Sequence, residues 1–529
     1  MLPSPSSSPR VVFASRTNTI DAPTKTVSLP YLPTPAGDSR YKRPSIAKDS
    51  KPLKRLKFDR DDSSESEEND LESDDDVIME DPRITFCRER RRTPFQLHSL
   101  LLTNPSICRR QTPSTFAILQ SFVSSHKADM FKCQSIGEDT YLTPPYTCHY
   151  SNMSDAKAGG VPLLAVGTEQ GTVHILNTSR RKDWDFEPPR TTIQPHNNAI
   201  FDVRWSTDDS LVATCSGDQS TRISCPKSST ITHVLRGHTS TVKCMAWDPT
   251  NTSLLATGGR DGAICLWDLR VGKRHQNGDI MASSPVMTIH GAHEDTLDKS
   301  KPKARRGKQN PAPRSITNTL YPDSEPFSLI SSSSFDGIIR SWDLRQPSTP
   351  KKKSSKPQIP QELHSSLLDP TTLHGSRRPR GIISMAPGKG PSAGLLFAIG
   401  ADSRVHTYNL STLSPQTTSM FHDNLKVTSF YVGLSVSTCG RWLACASSGT
   451  PGSSFLFDVV NASWPCSTTQ KGVELKGQAG EVGALDWAPD ALATCSDDGT
   501  VRIWRPDLET HIKCREQPEE RKWDWNWSM

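Results

Sequence analysis

Residues 237–270 read GHTSTVKCMAWDPTNTSLLATGGRDGAICLWDLR, and this stretch decides the fold. Three apolar runs, VKCMAW, LLATGG and AICLW, are separated by the turn sequences DPTN and RDG. Short β-rich runs bounded by Asp, Asn, Gly and Pro are typical of antiparallel strands joined by tight turns. The stretch therefore predicts a small antiparallel sheet that begins after Gly237-His238 and ends near Trp267-Asp268.

The same pattern recurs along the chain. A Gly-His near one end and a Trp-Asp at the other, at a spacing of roughly 40–45 residues, mark the blades of a WD-repeat propeller. Six more copies align with the first: Leu164 to Asn177, His196 to Cys225, Ser328 to Arg345, Leu395 to Asn409, Trp442 to Asp458, and Gly477 to Trp504. Seven copies predict an all-β fold, a seven-bladed WD-repeat β-propeller over residues 141–510.

Each copy has an anchor residue in its third strand, and only three copies keep tryptophan there. The anchors are Leu176, Ser224, Trp267, Trp342, Tyr408, Phe457 and Trp504. In the clearest copy, His238, Thr257, Asp261 and Trp267 stand where WD repeats place a hydrogen-bonded set. Buried polar side chains need partners, so we interpret this set as structural and not catalytic.

Two intervals exceed the usual spacing between blades. We expect insertions that loop out of the ring at about 271–327 and 346–380. A ring also needs its ends joined, and we expect a strand near Tyr146 to Ser151 to complete the last blade.

Composition favours one large domain with tails. The chain has 529 residues, 41 of them proline, and only 34% hydrophobic residues, so much of it cannot form a packed core. No stretch has the roughly 20 apolar residues of a membrane span, and we expect a soluble, intracellular protein without membrane contact. The 13 cysteines include no CxxC pair. We therefore expect buried, reduced thiols, no metal site and no cofactor.

Residues 1–84 are rich in Pro, Ser and charge, which predicts a disordered arm. Its basic residues form two clusters that resemble a bipartite nuclear localisation signal and predict a nuclear protein: Lys42, Arg43, Lys54, Arg55 and Lys57. The acidic run from Asp59 to Asp81 follows, and it is open whether its serines are kinase sites or the run is only solubilising.

Residues 85–140 differ from the arm in their sequence pattern, because they have apolar side chains at helical spacing. Phe95, Leu97, Leu100 and Leu101 suggest one short amphipathic helix, and Thr115 to Val123 suggests another. Either the helices pack on the propeller or they dock into a partner's groove.

Several stretches together resemble the denticleless family: HNNAIFDVRW at 196–205, SGDQS at 216–220, ATGGRDGAICLWDLR at 256–270, FDGIIRSWDLR at 335–345, TSFYV at 428–432 and ATCSDDGTVRIWR at 493–505. The resemblance spans about residues 93–505. It implies a non-catalytic substrate receptor of the cullin-4 RING ubiquitin ligase, which acts in the cell cycle, DNA replication and the DNA damage response. Its partners would be the damaged-DNA-binding adaptor, through it cullin-4 and the RING protein, and substrates on the DNA-loaded sliding clamp.

The resemblance also implies an adaptor-binding set made up of two Trp-Asp-Leu-Arg motifs and the first predicted helix. Its residues are Trp267, Asp268, Arg270, Trp342, Asp343, Arg345, Phe95, Leu97, Leu100 and Leu101. The arginines either contact the adaptor directly or brace their own blades through the adjacent aspartates. On the opposite face, Glu169, Arg260, Phe335 and Asp497 precede turn positions and are candidate substrate contacts. Their carboxylates suit a basic residue of the substrate, and Phe335 suits an apolar one.

The inserted loops are basic, with Lys299 to Lys308, Lys351 to Lys356 and Arg377 to Arg380 as their charged stretches. They either contact DNA non-specifically or are solvated loops. Trp523, Trp525 and Trp527 near the C-terminus form either a peptide motif or a strap on the propeller. The chain ends soon after its seventh copy, where animal members of the family continue in a long tail, so independent clamp contact is not expected.

Two other function classes compete with the receptor interpretation. A chromatin- or histone-binding WD scaffold without a ligase role is the main alternative, and co-purification with the adaptor separates the two. An enzyme is disfavoured because the sequence has no Ser elbow, phosphate loop or HExxH motif.

Overall fold

The computed structural model describes residues 114–137, 140–152, 160–274, 280–294, 313–323, 325, 327–345, 360–373, 378–463, 470–517 and 526–527. All of them lie in the compact unit Thr93–Met529. The predicted arm, its basic clusters and acidic run, the helix containing Phe95 to Leu101, and most of the basic loop residues lie outside the described residues.

The first described elements precede the ring. They are α1 (Phe116–Leu119), β1 (Phe122–Ser124), a 3₁₀ turn (Lys127–Asp129) and β2 (Met130–Lys132). Blade 1 comprises β3 (Pro145–Tyr150), β4 (Leu163–Thr168), β5 (Val173–Asn177) and β6 (Thr191–Ile193). Blade 2 comprises β7 (Ile200–Trp205), β8 (Val212–Ser216), β9 (Ser220–Cys225) and β10 (Thr230–Arg236). Blade 3 begins with β11 (Val242–Trp247), β12 (Leu254–Gly259) and β13 (Ile264–Asp268). The next two strands, β14 (Lys273–Arg274) and β15 (Met281–Ser283), extend the sheet of blade 2. The fourth strand of blade 3 is β16 (Met287–Ile289).

The remaining blades follow in order. Blade 4 comprises β17 (Ile316–Leu320), β18 (Ser328–Ser333), β19 (Arg340–Asp343) and β20 (Gln361–Ser365). Blade 5 comprises β21 (Ile382–Pro387), β22 (Leu395–Gly400), β23 (Arg404–Asn409) and β24 (Pro415–Phe421). Blade 6 comprises β25 (Leu434–Val436), β26 (Trp442–Cys445) and β27 (Gly452–Asp458); β28 (Gln470–Lys471) joins blade 5, and β29 (Val473–Gln478) completes blade 6. Blade 7 comprises β30 (Val482–Trp487), β31 (Leu492–Ser496) and β32 (Thr500–Pro506), followed by α2 (Leu508–Glu516) and β33 (Asn526–Trp527). Short 3₁₀ turns lie at Pro370–Thr372 and Gly390–Ser392.

These strands form seven sheets, which confirms the seven-bladed, all-β propeller. Successive strands of a blade are antiparallel, so the turns between second and third strands lie on one face of the ring together with the loops that enter the next blade. We call this the upper face. The third strands end on the opposite, lower face. None of the described helices is long and apolar enough to cross a membrane.

The core is built from the third-strand anchors predicted from the sequence, and each of them is buried in its blade. Trp267, Trp342 and Trp504 donate their indole N–H to a hydroxyl of the second strand, over 2.8–2.9 Å. Leu176, Ser224, Tyr408 and Phe457 occupy the same place in the other blades. Because the position is closed to water, each indole N–H needs the partner that it has here.

The predicted hydrogen-bonded set is present in blade 3. His238 lies 2.8 Å from the Thr257 hydroxyl and 3.1 Å from an Asp261 oxygen, and Trp267 donates to the same hydroxyl. Burial disfavours the imidazolium, but the hydrogen bonds to Asp261 and Cys265 outweigh burial and raise the pKa of His238 to about 9. In blade 7, Gln478 takes this place and accepts a 2.8 Å hydrogen bond from Thr494.

The raised pKa predicts a pH-dependent stability. The stabilisation from protonated His238 should be complete below about pH 6.5 and lost as pH rises through about 9, because the unfolded imidazole has the lower pKa. We therefore expect wild type to lose up to about 3 kcal/mol of unfolding free energy between roughly pH 6 and pH 10 relative to His238→Gln. Chemical denaturation across this range measures the difference. Parallel pH profiles for the two proteins would show that His238 is not protonated in the fold.

Ring closure differs from the prediction. The segment Pro145–Tyr150 is not the last strand of blade 7 but the innermost strand of blade 1. The ring is instead closed by β1 and β2, which both pair with β32. The sequence prediction was wrong because strands of three residues are too short to show a period.

Two further predictions need correction. The intervals 271–327 and 346–380 are not only insertions that loop out of the ring, because they contain β14 to β17 and β20. The sequences of β17 and β20, ITNTL and QELHS, are largely polar and so lack the apolar run that marks a strand. The helix predicted for Thr115 to Val123 is only Phe116–Leu119. Phe122–Ser124 is a strand that pairs with β32, and its Phe122 is buried between blades 6 and 7. At the C-terminus, β33 pairs with β1, so this part of the Trp-rich tail is a strap on blade 7.

Candidate protein-binding surfaces

Two aspartate–arginine pairs project from the lower face at matching positions of blades 3 and 4. Arg270 donates from Nε and Nη2 to Asp268 over 2.9 and 2.7 Å, and Arg345 binds Asp343 in the same way over 2.9 Å each. These hydrogen bonds lower the pKa of both aspartates. Each arginine side chain is 64% exposed. We call these two pairs the arginine braces.

The chain positions the braces through the residues between Asp and Arg. The backbone N–H of Leu269 donates to Ser253, and that of Leu344 donates to Phe327, over 2.9 and 2.8 Å. These bonds fix the corner after each third strand. Of the two predicted roles of the arginines, the contact with the adjacent aspartate is therefore present in the structure. It leaves most of each arginine side chain exposed to solvent.

The other residues of the predicted adaptor-binding set have different surroundings. Trp267 and Trp342 are buried, so a partner would contact the arginines and not these indoles. Phe95, Leu97, Leu100 and Leu101 lie outside the described residues. In blade 7 the same positions read Trp504-Arg505-Pro506-Asp507, so Arg505 takes the place of the aspartate and Asp507 that of the arginine. Arg505 points inward, where it pairs with Asp129 and donates to the Thr178 carbonyl over 2.7 Å.

On the upper face, the structure brings together only part of the predicted substrate-contact set. Glu169 and Asp497 lie on either side of two tyrosines, Tyr146 and Tyr431, at the end of the central channel. Arg260 follows the second strand of blade 3, close enough to Lys243 to lower its pKa. Phe335 lies elsewhere, on blade 4, stacked on Arg314 at 4.0 Å.

Sequence reasoning missed the aromatic side chains of the channel end. Tyr146 stacks on Tyr431 with centroids 5.0 Å apart and on Phe201 at 6.1 Å, and Phe430 meets Tyr431 edge to face at 5.2 Å. We call these four residues the aromatic mouth. The sequence offered one signal for them: an aromatic residue is the second residue of the innermost strands β3 and β7. Gly483 holds that position in blade 7, where a Cβ would lie 2.7 Å from the Tyr431 ring.

Carboxylates dominate the electrostatics of the mouth. Tyr431 donates to Asp497 over 3.0 Å, and Ser429 donates to Glu481 over 2.5 Å. Burial raises the pKa of Asp497, and the charges of Glu481 and Glu169 raise it further against the hydrogen bond from Tyr431. Lys243 lies over one of these rings, with its Nζ 3.9 Å from the Phe430 centroid. Burial lowers the pKa of Lys243 to about 8.

Comparison with known proteins identifies three of the repeats, each of which joins the outer strand of one blade to the first three strands of the next. The sequence matches the family "WD domain, G-beta repeat" over residues 187–223, 229–268 and 469–505. It is similar to the denticleless protein homologs of Gallus gallus (29% identity, 72% of this chain), Homo sapiens (30%, 70%) and Danio rerio (31%, 70%). The chain belongs to the denticleless family of WD-repeat proteins. The match confirms the family resemblance read from the sequence.

This denticleless-family chain spans about half the length of the curated relatives it matches: 51%, 48% and 53% for the same three proteins. Among solved structures, a chain in a crystal structure of the mitotic checkpoint complex is 17% identical, with a TM-score of 0.47. That match covers 75% of this chain and 95% of the other.

The polar side chains deeper in the channel of this family member hold blades together. Asp486 accepts from the Tyr150 N–H and the Ser435 hydroxyl, each over 2.8 Å, and Asp202 accepts from the Met245 N–H over 2.9 Å. In the described part of the chain, no group of three or more His, Cys, Asp or Glu side chains is arranged to hold a metal ion. Burial raises the pKa of the Cys133 and Cys244 thiols to about 12, as expected for inert core cysteines.

Proposed function

We propose that this chain is the substrate-recognition subunit of a cullin-4 RING ubiquitin ligase. The lower face would bind the adaptor, and the upper face would bind proteins of replication and the cell cycle, including those on the sliding clamp. Ubiquitin transfer would be carried out by the separate RING protein and its conjugating enzyme. Family membership supports the proposal, and the arginine braces are the single observation that carries it.

The braces support adaptor binding through their repetition. Two adjacent blades present the same exposed guanidinium in the same orientation, held by a bidentate carboxylate contact. A held guanidinium loses little side-chain entropy when it binds a second group, and its fork geometry suits carboxylates and carbonyls of a partner. Blade 7 has Arg505 and Asp507 at the two positions, in reversed order, and Arg505 is used internally, so blade 7 does not present a brace.

Loss of both arginines is expected to weaken adaptor binding. We expect the double variant Arg270→Ala/Arg345→Ala to bind the adaptor at least about tenfold more weakly than wild type. Pull-down of purified full-length chain with the purified adaptor, across a concentration series, measures the change. Arg441→Ala removes an exposed arginine from the first turn of blade 6 on the same face and should bind normally.

Unchanged binding by the double variant would overturn the assignment of the braces. Failure of wild type itself to bind the adaptor would overturn the ligase proposal and favour a chromatin-binding WD scaffold. A thermal unfolding midpoint equal to that of wild type must accompany each variant, so that a folding defect is not mistaken for lost contact.

On the upper face, we place a basic side chain of the substrate at the aromatic mouth. Burial, and after it the charges of Glu481 and Glu169, raise the pKa of Asp497, and an added cation would favour the ionised carboxylate there. The tyrosine rings also offer π-faces and edges beside those charges. Glu169 and Asp497 thus remain the proposed substrate contacts.

Charge changes at the mouth are expected to reduce substrate capture without affecting the adaptor. Glu169→Lys combined with Asp497→Asn should lower capture of clamp-bound substrate at least about tenfold, since a desolvated charge pair is lost. Co-precipitation on reconstituted DNA-loaded clamp measures capture, with adaptor pull-down as the internal reference. Glu516→Lys alters an exposed carboxylate on α2 and serves as control. Normal capture by the double variant would contradict the placement.

Nuclear localisation remains part of the proposal. It depends on Lys42, Arg43, Lys54, Arg55 and Lys57 in the N-terminal arm. Imaging of the full chain with and without alanine at these positions tests it. Retention in the nucleus without them would refute their role.

A further inference from the structure

We infer that Lys243 and Arg260 of blade 3 form an anion subsite on the upper face, which binds a carboxylate side chain of a protein segment lying across the aromatic mouth. The inference rests on the proposed binding of substrate at the mouth and adds a second charged contact to it. The bound segment would carry a basic side chain at Glu169 and Asp497 and an acidic one at blade 3. The two contacts together would fix its direction across the channel.

One turn position on the upper face carries opposite charges in different blades. The residue that follows the second strand donates its backbone N–H, over 2.8–3.0 Å, to the carbonyl of the residue that precedes the innermost strand. This position is held by Glu169 in blade 1, Arg260 in blade 3 and Asp497 in blade 7, and by Gly217, Ser334 and Ala401 in blades 2, 4 and 5. The same backbone geometry therefore presents carboxylates from the neighbouring blades 7 and 1 and a guanidinium from blade 3.

Lys243 places a second cation beside Arg260. It is the second residue of β11, the position that Phe201 holds in β7, and both residues line the channel. Its Nζ lies 3.9 Å from the ring centroid of Phe430, which is 52% exposed. Burial, and after it the charge of Arg260, lower the pKa of Lys243 to about 8, so the two cations are close to each other. The anion subsite therefore adjoins the aromatic mouth at Phe430.

Neither cation is neutralised within the described part of the chain. No carboxylate there lies within ion-pair distance of Lys243 or Arg260, and none is among the charges that shift the pKa of Lys243. At the other end of the mouth, Asp497 accepts from Tyr431, while its Oδ1 is buried without a hydrogen-bond partner among the described residues. Unpaired cations at one end and an unpaired carboxylate oxygen at the other are complementary to a segment that carries both charges.

The geometry limits the spacing of the two charges in the bound segment. Tyr431 donates to Asp497 over 3.0 Å, and its ring centroid lies 5.2 Å from that of Phe430, over which Lys243 lies. The path from carboxylate to ammonium across these rings is therefore at most about 15 Å, which about five residues of extended chain cover. A carboxylate fits the subsite better than the phosphates of nucleic acid, because a polyanion would bring further negative charge toward Asp497.

Selection of short random peptides displayed on phage, against the immobilised full-length chain, tests the inference. Clones that bind wild type but not Glu169→Lys/Asp497→Asn should carry Lys or Arg within about five residues of an Asp or Glu. In a synthetic peptide from such a clone, replacing the acidic residue with its amide should weaken binding to wild type at least about fivefold. The same replacement should change binding to Lys243→Met/Arg260→Ala less than about twofold, because the contact is already lost.

Arg236→Ala is the matched control for the loss of a cation. Arg236 is exposed at the end of β10, the fourth strand of blade 2, on the upper face but away from the channel, and its removal should not alter peptide binding. Each variant must keep the wild-type thermal midpoint. Arg260→Ala alone, which removes an exposed side chain, provides the same comparison if Lys243→Met lowers the midpoint.

Three outcomes would overturn the inference. They are unchanged binding of the amide peptide to wild type, an equal loss on wild type and on the double variant, and tighter binding when phosphoserine replaces the acidic residue. Absence of any clone that depends on Glu169 and Asp497 would overturn the placement of substrate at the mouth, and this inference with it. Adaptor pull-down is measured in parallel, and its failure would overturn the ligase proposal while leaving the peptide result to stand. The two failures are therefore distinguishable.

Discussion

Replacing Phe122 with alanine is expected to lower the free energy of unfolding by about 3–5 kcal/mol, because it leaves a cavity where the ring is closed. Phe122 is fully buried, and its ring meets those of Trp442 and Trp487 edge to face at 5.6 and 5.7 Å. It therefore joins the N-terminal segment to blades 6 and 7 at once. Equilibrium denaturation with guanidinium measures the loss.

The matched control for this substitution is Phe186→Ala. Phe186 is 96% exposed in the loop that follows the third strand of blade 1, so its removal should change stability by less than about 0.5 kcal/mol. A Phe122→Ala protein as stable as Phe186→Ala would mean that β1 does not close the ring in solution.

The Trp267→Ala substitution is expected to have an effect of similar size, about 3–5 kcal/mol, for a different reason. Removing the indole opens a cavity and also removes one of the two hydrogen bonds to the buried Thr257 hydroxyl, the other being to His238. Trp267→Phe should keep most of the packing and lose one hydrogen bond, at a cost of about 0.5–1.5 kcal/mol. The same denaturation experiment ranks the two variants.

Trp184→Ala provides the comparison, because Trp184 is 77% exposed. Its loss should be within about 0.5 kcal/mol of wild type. If Trp267→Phe were as destabilised as Trp267→Ala, packing volume would not be the main contribution of this position. If both variants kept wild-type stability, the hydrogen-bonded set would not stabilise blade 3.

The sequence predicted the face of the propeller on which many candidate residues lie, but not the contacts that they make. The pattern Trp-Asp-Leu-Arg put Arg270 and Arg345 on one face, because a strand's direction follows from the turns on either side of it. Blade 7 lacks this pattern, and the sequence did not show that its Arg505 turns inward, because the partner Asp129 is 376 positions away. The aromatic mouth was missed for a similar reason, since Tyr146 and Tyr431 are far apart in the chain and stack only when the ring is complete.

The sequence by itself determined the blades: their number, their second and third strands, and the buried anchor in each. These features are encoded within about 40 residues, by turn residues and apolar runs that act locally. Only the tertiary structure decided how the ring closes, which outer strands complete the blades, and which side chains meet at the channel. Those choices depend on contacts between segments far apart in the chain, where short strands and single aromatic residues carry no local signal.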